Sequence, residues 1–222
     1  NEIECRASGV YISGISHAGD FALHTRLVGR FNAENLLLTL GLLLASGMSL
    51  SDAAERLALA MAPPGRMESF ECNGPLVVVD YAHTPDALQK ALKALHPIAE
   101  QRGGKIWCVF GCGGDRDSSK RPQMGAVATK FADHIIVTSD NPRSEDAQAI
   151  MAMIAQGIEP GSGNVQMIAD RTAAIMAAIR HADASDVVLV AGKGHETTQE
   201  INGKSFEFSD QEHIRLAARG LI

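Results

Sequence analysis

A basic field is missing from this chain. Its formal net charge is −6 at pH 7, and a protein that grips nucleic acid through phosphates needs the opposite sign, so nucleic acid is not expected as the main partner. Local basic loops could still hold small anions. Cysteine is scarce too. Cys5, Cys72, Cys108 and Cys112 give neither a disulfide framework nor a C-x-x-C metal spacing, which points to reduced, mostly buried thiols and a cytoplasmic location. No apolar run matches a bilayer. The longest, Leu36 to Ala45, is about half the length a membrane span requires, is interrupted by Thr39 and Gly41, and reads as a buried helix. A charged leader with an apolar core and cleavage site is absent, and the chain opens on Asn1 where a methionine would be expected, so it reads as part of a longer polypeptide.

What is present suits a folded α/β protein. A chain of 222 residues with 45% hydrophobic content can bury a core in one large or two modest domains. Residues 1 to 30 read as the ragged end of a sheet, with Val10-Tyr11-Ile12 and the alternating Phe21, Leu23, Thr25 and Leu27 as short strand candidates. The Leu-rich helix follows Gly29 to Asn35, and a second helix is expected from about Ser51 to Met61. Ala62-Pro63-Pro64-Gly65 stops it and is the best linker candidate. From Pro75 onward, apolar runs alternate with helical patterns: Leu76 to Val79, Lys105 to Phe110, His134 to Thr138, Val165 to Ile168 and Val187 to Ala191. This alternation predicts a mostly parallel sheet. The first of its helices is the clearest, because Thr84 can cap it, Pro85 suits its first position, and Leu88, Leu92, Leu95 and Ile98 share one face.

Candidate chemistry gathers where these strands end, which is where open α/β sheets bind ligands. Asp80-Tyr81-Ala82-His83-Thr84-Pro85 places an acid and a histidine beside a helix N-terminus and suits a nucleotide, with Asp80 placed to accept from ribose hydroxyls. The plain alternative is that Asp80 caps the turn and His83 packs on its neighbours. Gly111-Cys112-Gly113-Gly114-Asp115-Arg116-Asp117 looks like a dinucleotide fingerprint, but Arg116 stands where the third glycine is needed. There remains a glycine turn that lets backbone approach a ligand closely and delivers a guanidinium at its exit, while Lys120 reads as solvated. Asp140-Asn141-Pro142-Arg143 occupies a loop after the third strand and offers polar groups that fit a zwitterionic amino acid. Ala191-Gly192-Lys193-Gly194-His195-Glu196 fails as a P-loop, since Val187 and Gly194 stand where glycine and Ser or Thr are required. His195 receives no catalytic role.

Taken in order, Gly29 to Asn35, Pro64-Gly65-Arg66, Asp80 to Pro85, Gly111 to Pro122, Asp140 to Arg143 and Gly192 to Glu196 resemble the motifs of the Mur ligase family. Within it, they are most similar to the branch that adds 2,6-diaminopimelate. The resemblance implies a Rossmann-like C-terminal domain with a mostly parallel sheet over residues 65–222, preceded at 1–64 by the end of a P-loop-type central ATP-binding domain. It implies an ATP-dependent, magnesium-requiring ligase that activates the D-glutamate carboxylate of a UDP-N-acetylmuramoyl dipeptide as an acyl phosphate, which the amine of meso-diaminopimelate then attacks. Asn32 or Asn35, Arg66, Asp80 and His83 would lie around adenine and ribose. Arg116, Asp140, Asn141, Pro142, Arg143, Gly192 and Glu196 would line the amino-acid pocket.

The chemistry of those residues agrees with that substrate, which carries two carboxylates and two amines. Arg116 and Arg143 suit the carboxylates, and Glu196 and Asp140 can accept from an ammonium group. The P-loop, the magnesium ligands and the UDP-binding region would lie in missing domains, so the chain alone is expected not to turn over. A monomer without membrane attachment is expected. The competing readings are a related ligase adding lysine or glutamate, against which the Asp-Asn-Pro-Arg loop argues, and a non-catalytic nucleotide- or amino-acid-binding module.

Overall fold

A computed structural model describes residues 2–6, 8–71, 74–159, 161 and 164–218; Cys72 lies outside them. They form two compact units that divide between Pro63 and Pro64. The first holds strands β1 (Glu2–Arg6), β2 (Gly9–Ser16) and β3 (Gly19–Thr25), then helices α1 (Arg30–Ala45) and α2 (Leu50–Ala58). The strands make an antiparallel meander in which Val10 faces Thr25 and Ile12 faces Leu23 across β2 and β3. Val10, Ile12, Leu23 and Leu27 share a core with Ala33, Leu36 and Leu40 of α1 and Ala53 and Leu57 of α2. The ragged edge expected here is thus an ordered three-stranded sheet. β1 escaped notice because its residues alternate only between half-buried and exposed.

Two expectations in this unit need correction. α1 is not buried all round: Leu38 and Leu42 are 66% and 64% exposed. Leucines on every side of a helix that packs through one face must leave some outside. α2 is capped by Ser49, whose Oγ accepts from Asp52 N at 3.1 Å, yet it ends at Ala58 rather than Met61. Beyond it the chain runs into Pro63 and Pro64, which cannot continue a helical hydrogen-bond ladder and disfavour helix just before them.

In the second unit the order is β4 (Glu68–Glu71), β5 (Leu76–Asp80), α3 (Pro85–Arg102), β6 (Ile106–Phe110), α4 (Lys120–Phe131), β7 (His134–Val137), α5 (Ala147–Ala155), β8 (Asn164–Met167), α6 (Arg171–His181) and β9 (Val187–Ala191). A hairpin, β10 (Thr198–Ile201) and β11 (Lys204–Glu207), and helix α7 (Asp210–Ala218) follow. The main sheet runs β4-β5-β9-β6-β7-β8. Every neighbouring pair is parallel except β4 and β5, so the mostly parallel α/β sheet expected from the alternating runs is present. Alternate residues of the central strands, among them Val77, Val79, Trp107, Val109, Val188 and Val190, pack with Ala174, Ile175 and Ala178 of α6 and Ile214 of α7. On α3, Thr84 accepts from Ala87 N at 3.3 Å and Pro85 takes the first turn, with Leu88, Leu92, Leu95 and Ile98 fully buried. Among the described residues no helix is long and apolar enough to cross a membrane.

Candidate functional site

The last parallel strand, β9, returns from the β8 edge to lie between β5 and β6, which brings its following loop beside theirs at the carboxyl ends of the strands, where open α/β sheets bind ligands. Loops after β5, β6, β7 and β9 line a cleft of about 350 Å³ here. They bring together His83, Arg116, Asp140, Asn141, Arg143, Gly192 and Glu196. Lys120 lines it as well, with its Nζ 3.8 Å from Asp117, so it belongs to the cleft and not to a remote surface.

The floor of the cleft is a closed polar network. Lys193 is fully buried, and its Nζ donates to Asn141 Oδ1 at 3.0 Å and to Glu196 Oε2 at 2.9 Å. Asn141 Nδ2 donates to the same Glu196 oxygen at 2.7 Å, and Asn141 Oδ1 also accepts from Glu200 N at 3.0 Å. Burial works against charge on Glu196, but the hydrogen bonds from Lys193 and Asn141 and the Lys193 and Arg143 charges more than offset it and hold the carboxyl below its ordinary value. An ionised acceptor is therefore preformed. Gly192 has φ +116°, and a Cβ there would come within 2.5 Å of Asp140 Oδ2. No other residue fits that position without moving the carboxylate.

The loop after β6 and the loop after β7 are stitched together. Gly114 N donates to Asn141 O at 2.8 Å, Arg143 Nη1 donates to Gly114 O at 2.8 Å, and Ser144 Oγ donates to Asp115 Oδ1 at 2.7 Å. Asp115 and Arg143 both hold left-handed backbone, at φ 53° and 51°. A Cβ on Gly114 would fall 1.9 Å from Pro142 O. The glycine turn expected to admit a ligand thus lets one protein backbone approach another, and Pro142 is the buried wall it meets. Behind it, Arg121 grips Glu145 through both guanidinium ends at 2.8 Å, and Glu145 Oε1 also accepts from Asp115 N at 2.6 Å.

These donors pull the Glu145 carboxyl down to about 2. A depressed carboxyl contributes stability that is present above its unfolded value and lost as pH falls through the folded one. Urea unfolding between pH 5 and pH 2 should show wild type losing stability that a Glu145→Gln variant, weaker at pH 5, no longer has to lose. Parallel curves for the two proteins would rule out this role for Glu145.

Residues 65–194 match the family described as "Mur ligase, glutamate ligase domain". The chain belongs to the Mur ligase family. It is 58% identical over 206 residues to the UDP-N-acetylmuramoyl-L-alanyl-D-glutamate–2,6-diaminopimelate ligase of Ralstonia nicotianae, covering 91% of this chain and 40% of that protein. Against the enzyme of the same name from Chromobacterium violaceum it is 52% identical over 214 residues, covering 96% and 42%. A solved structure of a ligase of that name superposes with a TM-score of 0.78 at 40% identity, covering 99% of this chain and 45% of that one. A folylpolyglutamate synthase from Thermotoga maritima shares the fold, with a TM-score of 0.67 at 23% identity over 86% of this chain and 42% of that one. The chain spans about two fifths of the length of the relatives it matches.

In this Mur ligase chain the residues that sequence grouped around ATP do not all fall together. Asn32 and Asn35 lie in the first unit, on α1, where Asn32 Nδ2 donates to Val28 O at 2.8 Å. In the second unit, Asp80 Oδ2 accepts from Met67 N at 2.9 Å. Burial outweighs the backbone donors and the Arg66 and His83 charges around Asp80 and raises its carboxyl above the ordinary value. The Arg66 guanidinium sits 4.7 Å over the Tyr81 ring. His83 Nδ1 donates to Tyr81 O at 2.8 Å, and the His83 ring meets the Tyr81 ring edge-on at 4.6 Å. Tyr81 is thus the centre of this group, and its sequence signal is an aromatic between a strand-end acid and a histidine. Of the five, only His83 shares the cleft.

Two further residues carry chemistry that the sequence motifs do not show: Arg121 lines the cleft, and Lys193, which in sequence stands only as the lysine of a failed P-loop, is buried and bonded to the cleft residues Asn141 and Glu196. Cys112 lines the cleft, its thiol pushed up to about 12 by burial and by Asp140; it is therefore a neutral, unreactive wall. Among the described residues no group of three or more His, Cys, Asp or Glu side chains is placed to hold a metal ion.

Proposed function

We propose that this chain is the amino-acid-binding part of an ATP-dependent ligase that joins meso-diaminopimelate to UDP-N-acetylmuramoyl-L-alanyl-D-glutamate during peptidoglycan precursor synthesis in the cytoplasm. The observation that carries the reading is the mixed charge of one cleft: Arg116, Arg143, Arg121 and Lys120 line it together with Asp140, Glu196 and Asp117, and once Arg121 is taken up by Glu145 and Lys120 by Asp117, Arg116 and Arg143 remain opposite Asp140 and Glu196. Diaminopimelate presents the complementary two carboxylates and two amines. The volume suits a small molecule, and the names carried by relatives at 58% and 52% identity support the same substrate.

On this reading Arg116 and Arg143 bind carboxylates, Asp140 and Glu196 accept from ammonium, and the backbone around Asn141, Pro142 and Gly192 shapes the wall. Fixing the substrate so that its amine is held toward the acceptor is the contribution these residues make, because orientation replaces a bimolecular encounter. Residues 1–64 would be the end of the central ATP-binding domain and 65–222 the C-terminal domain. Arg66, Asp80 and His83 would lie by the adenine and ribose. The aromatic and cationic surface of Tyr81 and Arg66 and the desolvated Asp80 carboxylate fit such a group. ATP, when bound, supplies the phosphoryl group that activates the acceptor carboxylate. Magnesium and the UDP-sugar would be held by the rest of a longer, monomeric enzyme, so the chain alone binds without turning over.

Calorimetric titration with meso-diaminopimelate and with L-lysine tests the reading, and heat for the first alone is expected. An arginine contact to a carboxylate contributes about 1.5–3 kcal/mol, and a site left with an unpaired arginine should reject lysine by roughly 10². In the complete enzyme, Arg143→Ala should erase most of that preference. Unchanged discrimination would remove the argument.

A further inference from the structure

We propose that Glu200, on the first strand of the hairpin, is a positioning residue that sets the substrate selectivity of Arg143; this rests on the diaminopimelate reading above. Three contacts from this one residue reach the loop after β7. Its N–H donates to Asn141 Oδ1 at 3.0 Å, its carbonyl accepts from Arg143 N at 3.0 Å, and its carboxylate lies 3.2 Å from Arg143 Nε. Asn202 N closes the pairing by donating to Arg143 O at 2.6 Å, and Gln199 Nε2 donates to Asp140 O at 2.7 Å. The hairpin therefore runs along the loop that carries the recognition residues and holds it by backbone.

The side-chain contact adds direction. Arginine presents its donors as a rigid planar fork, so holding two of its nitrogens fixes the aim of the third. Glu200 holds Nε and the Gly114 carbonyl holds Nη1. Nη2 has no protein partner among the described residues, and a substrate carboxylate must meet the fork at its Nη end. Glu200 does not itself line the cleft, and its side chain is 46% exposed. It acts through Arg143, and its replacement does not open the core.

Charge and geometry can be separated. Glutamine keeps the length of the side chain and drops the charge that pairs with Nε, whereas alanine removes both. The test is steady-state kinetics of the complete ligase with meso-diaminopimelate and with L-lysine, for wild type, Glu200→Gln and Glu200→Ala, with thermal midpoints recorded for all three. Glu200→Ala should raise KM for diaminopimelate at least about fivefold while kcat and the lysine parameters stay within about twofold, as expected for the loss of the ion pair that aims the fork. Glu200→Gln, which loses the same charge, should raise the diaminopimelate KM in the same direction and leave the lysine parameters within about twofold. A diaminopimelate KM that does not move in Glu200→Ala overturns the proposal, as does a rise in the lysine KM as large as that for diaminopimelate. If wild type shows no preference for diaminopimelate over lysine, the substrate reading itself fails, and the proposal with it.

Discussion

Asp210→Ala is expected to remove about 3–5 kcal/mol of folding stability, because it leaves a buried guanidinium without its counter-charge. Arg171 Nε and Nη2 reach the two Asp210 oxygens at 2.8 and 2.7 Å, and both side chains are wholly excluded from solvent. Burial alone would push the Arg171 guanidinium down, but the charge and hydrogen bonds of Asp210, with Asp140 and Glu196 beyond, raise it above its ordinary value. A guanidinium keeps its proton in a protein even when its partner is removed, so the charge stays on Arg171 after the substitution and the cost appears as lost stability. Urea unfolding measures it directly. A loss under about 1 kcal/mol would mean that water reaches the pair, since exposed pairs contribute no more than that.

The same pair also bears on the cleft. Arg171 donates to Ala191 O at 3.0 Å and to Ser139 O at 3.4 Å, the carbonyls immediately before Gly192 and Asp140. Replacing both partners by apolar residues of similar shape, as in Arg171→Met with Asp210→Leu, should recover most of the stability lost by Asp210→Ala. It cannot recover those two hydrogen bonds. The double variant is therefore expected to fold yet bind diaminopimelate more weakly than wild type; full recovery of binding would show that the carbonyls are held well enough by the sheet alone.

What could be read in the sequence was what is local. Continuous apolar runs need no partner to be recognised: Leu76 to Val79 and Val187 to Ala191 are uniformly apolar because helices cover both faces of the sheet. Thr84-Pro85 announces a helix by chemistry confined to one turn. The hairpin from Thr198 to Glu207 gave no such sign, since Lys204–Glu207 is exposed throughout and its order comes from pairing with β10 and from contact with a loop some 60 residues away. β4 likewise carries charge at the sheet edge and borrows its order from β5.

The candidate site divides in the same way. Glycines, Asp140, Arg143 and Glu196 could be picked out because they sit in strand-end loops. Arg171 with Asp210, and Lys193 with Asn141, could not, because each pair is defined by a partner 39 or 52 residues off. A charged residue reads as a surface residue until its partner is known. Lys193 is the sharpest case, since flanking glycines suggest an exposed turn while the fold encloses the side chain completely.

Lys193→Met should therefore weaken diaminopimelate binding by roughly 10- to 100-fold, the equivalent of one lost charge-assisted contact. It should also make binding depend on pH where wild type does not. The Lys193 ammonium lies between Asn141 and Glu196 and 5.9 Å over the Phe208 ring, so it sets both the direction and the charge of the acceptor that, on the proposed reading, would meet the substrate. In wild type the lowered Glu196 carboxyl is ionised well below neutral pH, and the stability it contributes is present above the ordinary carboxylate value and lost only as pH falls through the folded one. Without Lys193 the remaining influences are burial, which raises the carboxyl, and the weaker help of Asn141 and Arg143. The carboxyl is then held down less strongly, so the neutral form, which cannot attract an ammonium group, populates at higher pH than in wild type. The substrate amines stay charged at neutral and acidic pH, and the other cleft groups are common to both proteins, so the difference between the two profiles reports Glu196. Calorimetric titrations at several pH values decide it: wild type flat with the variant falling supports the role, whereas parallel profiles would mean that Lys193 fills space in the core without tuning the acceptor.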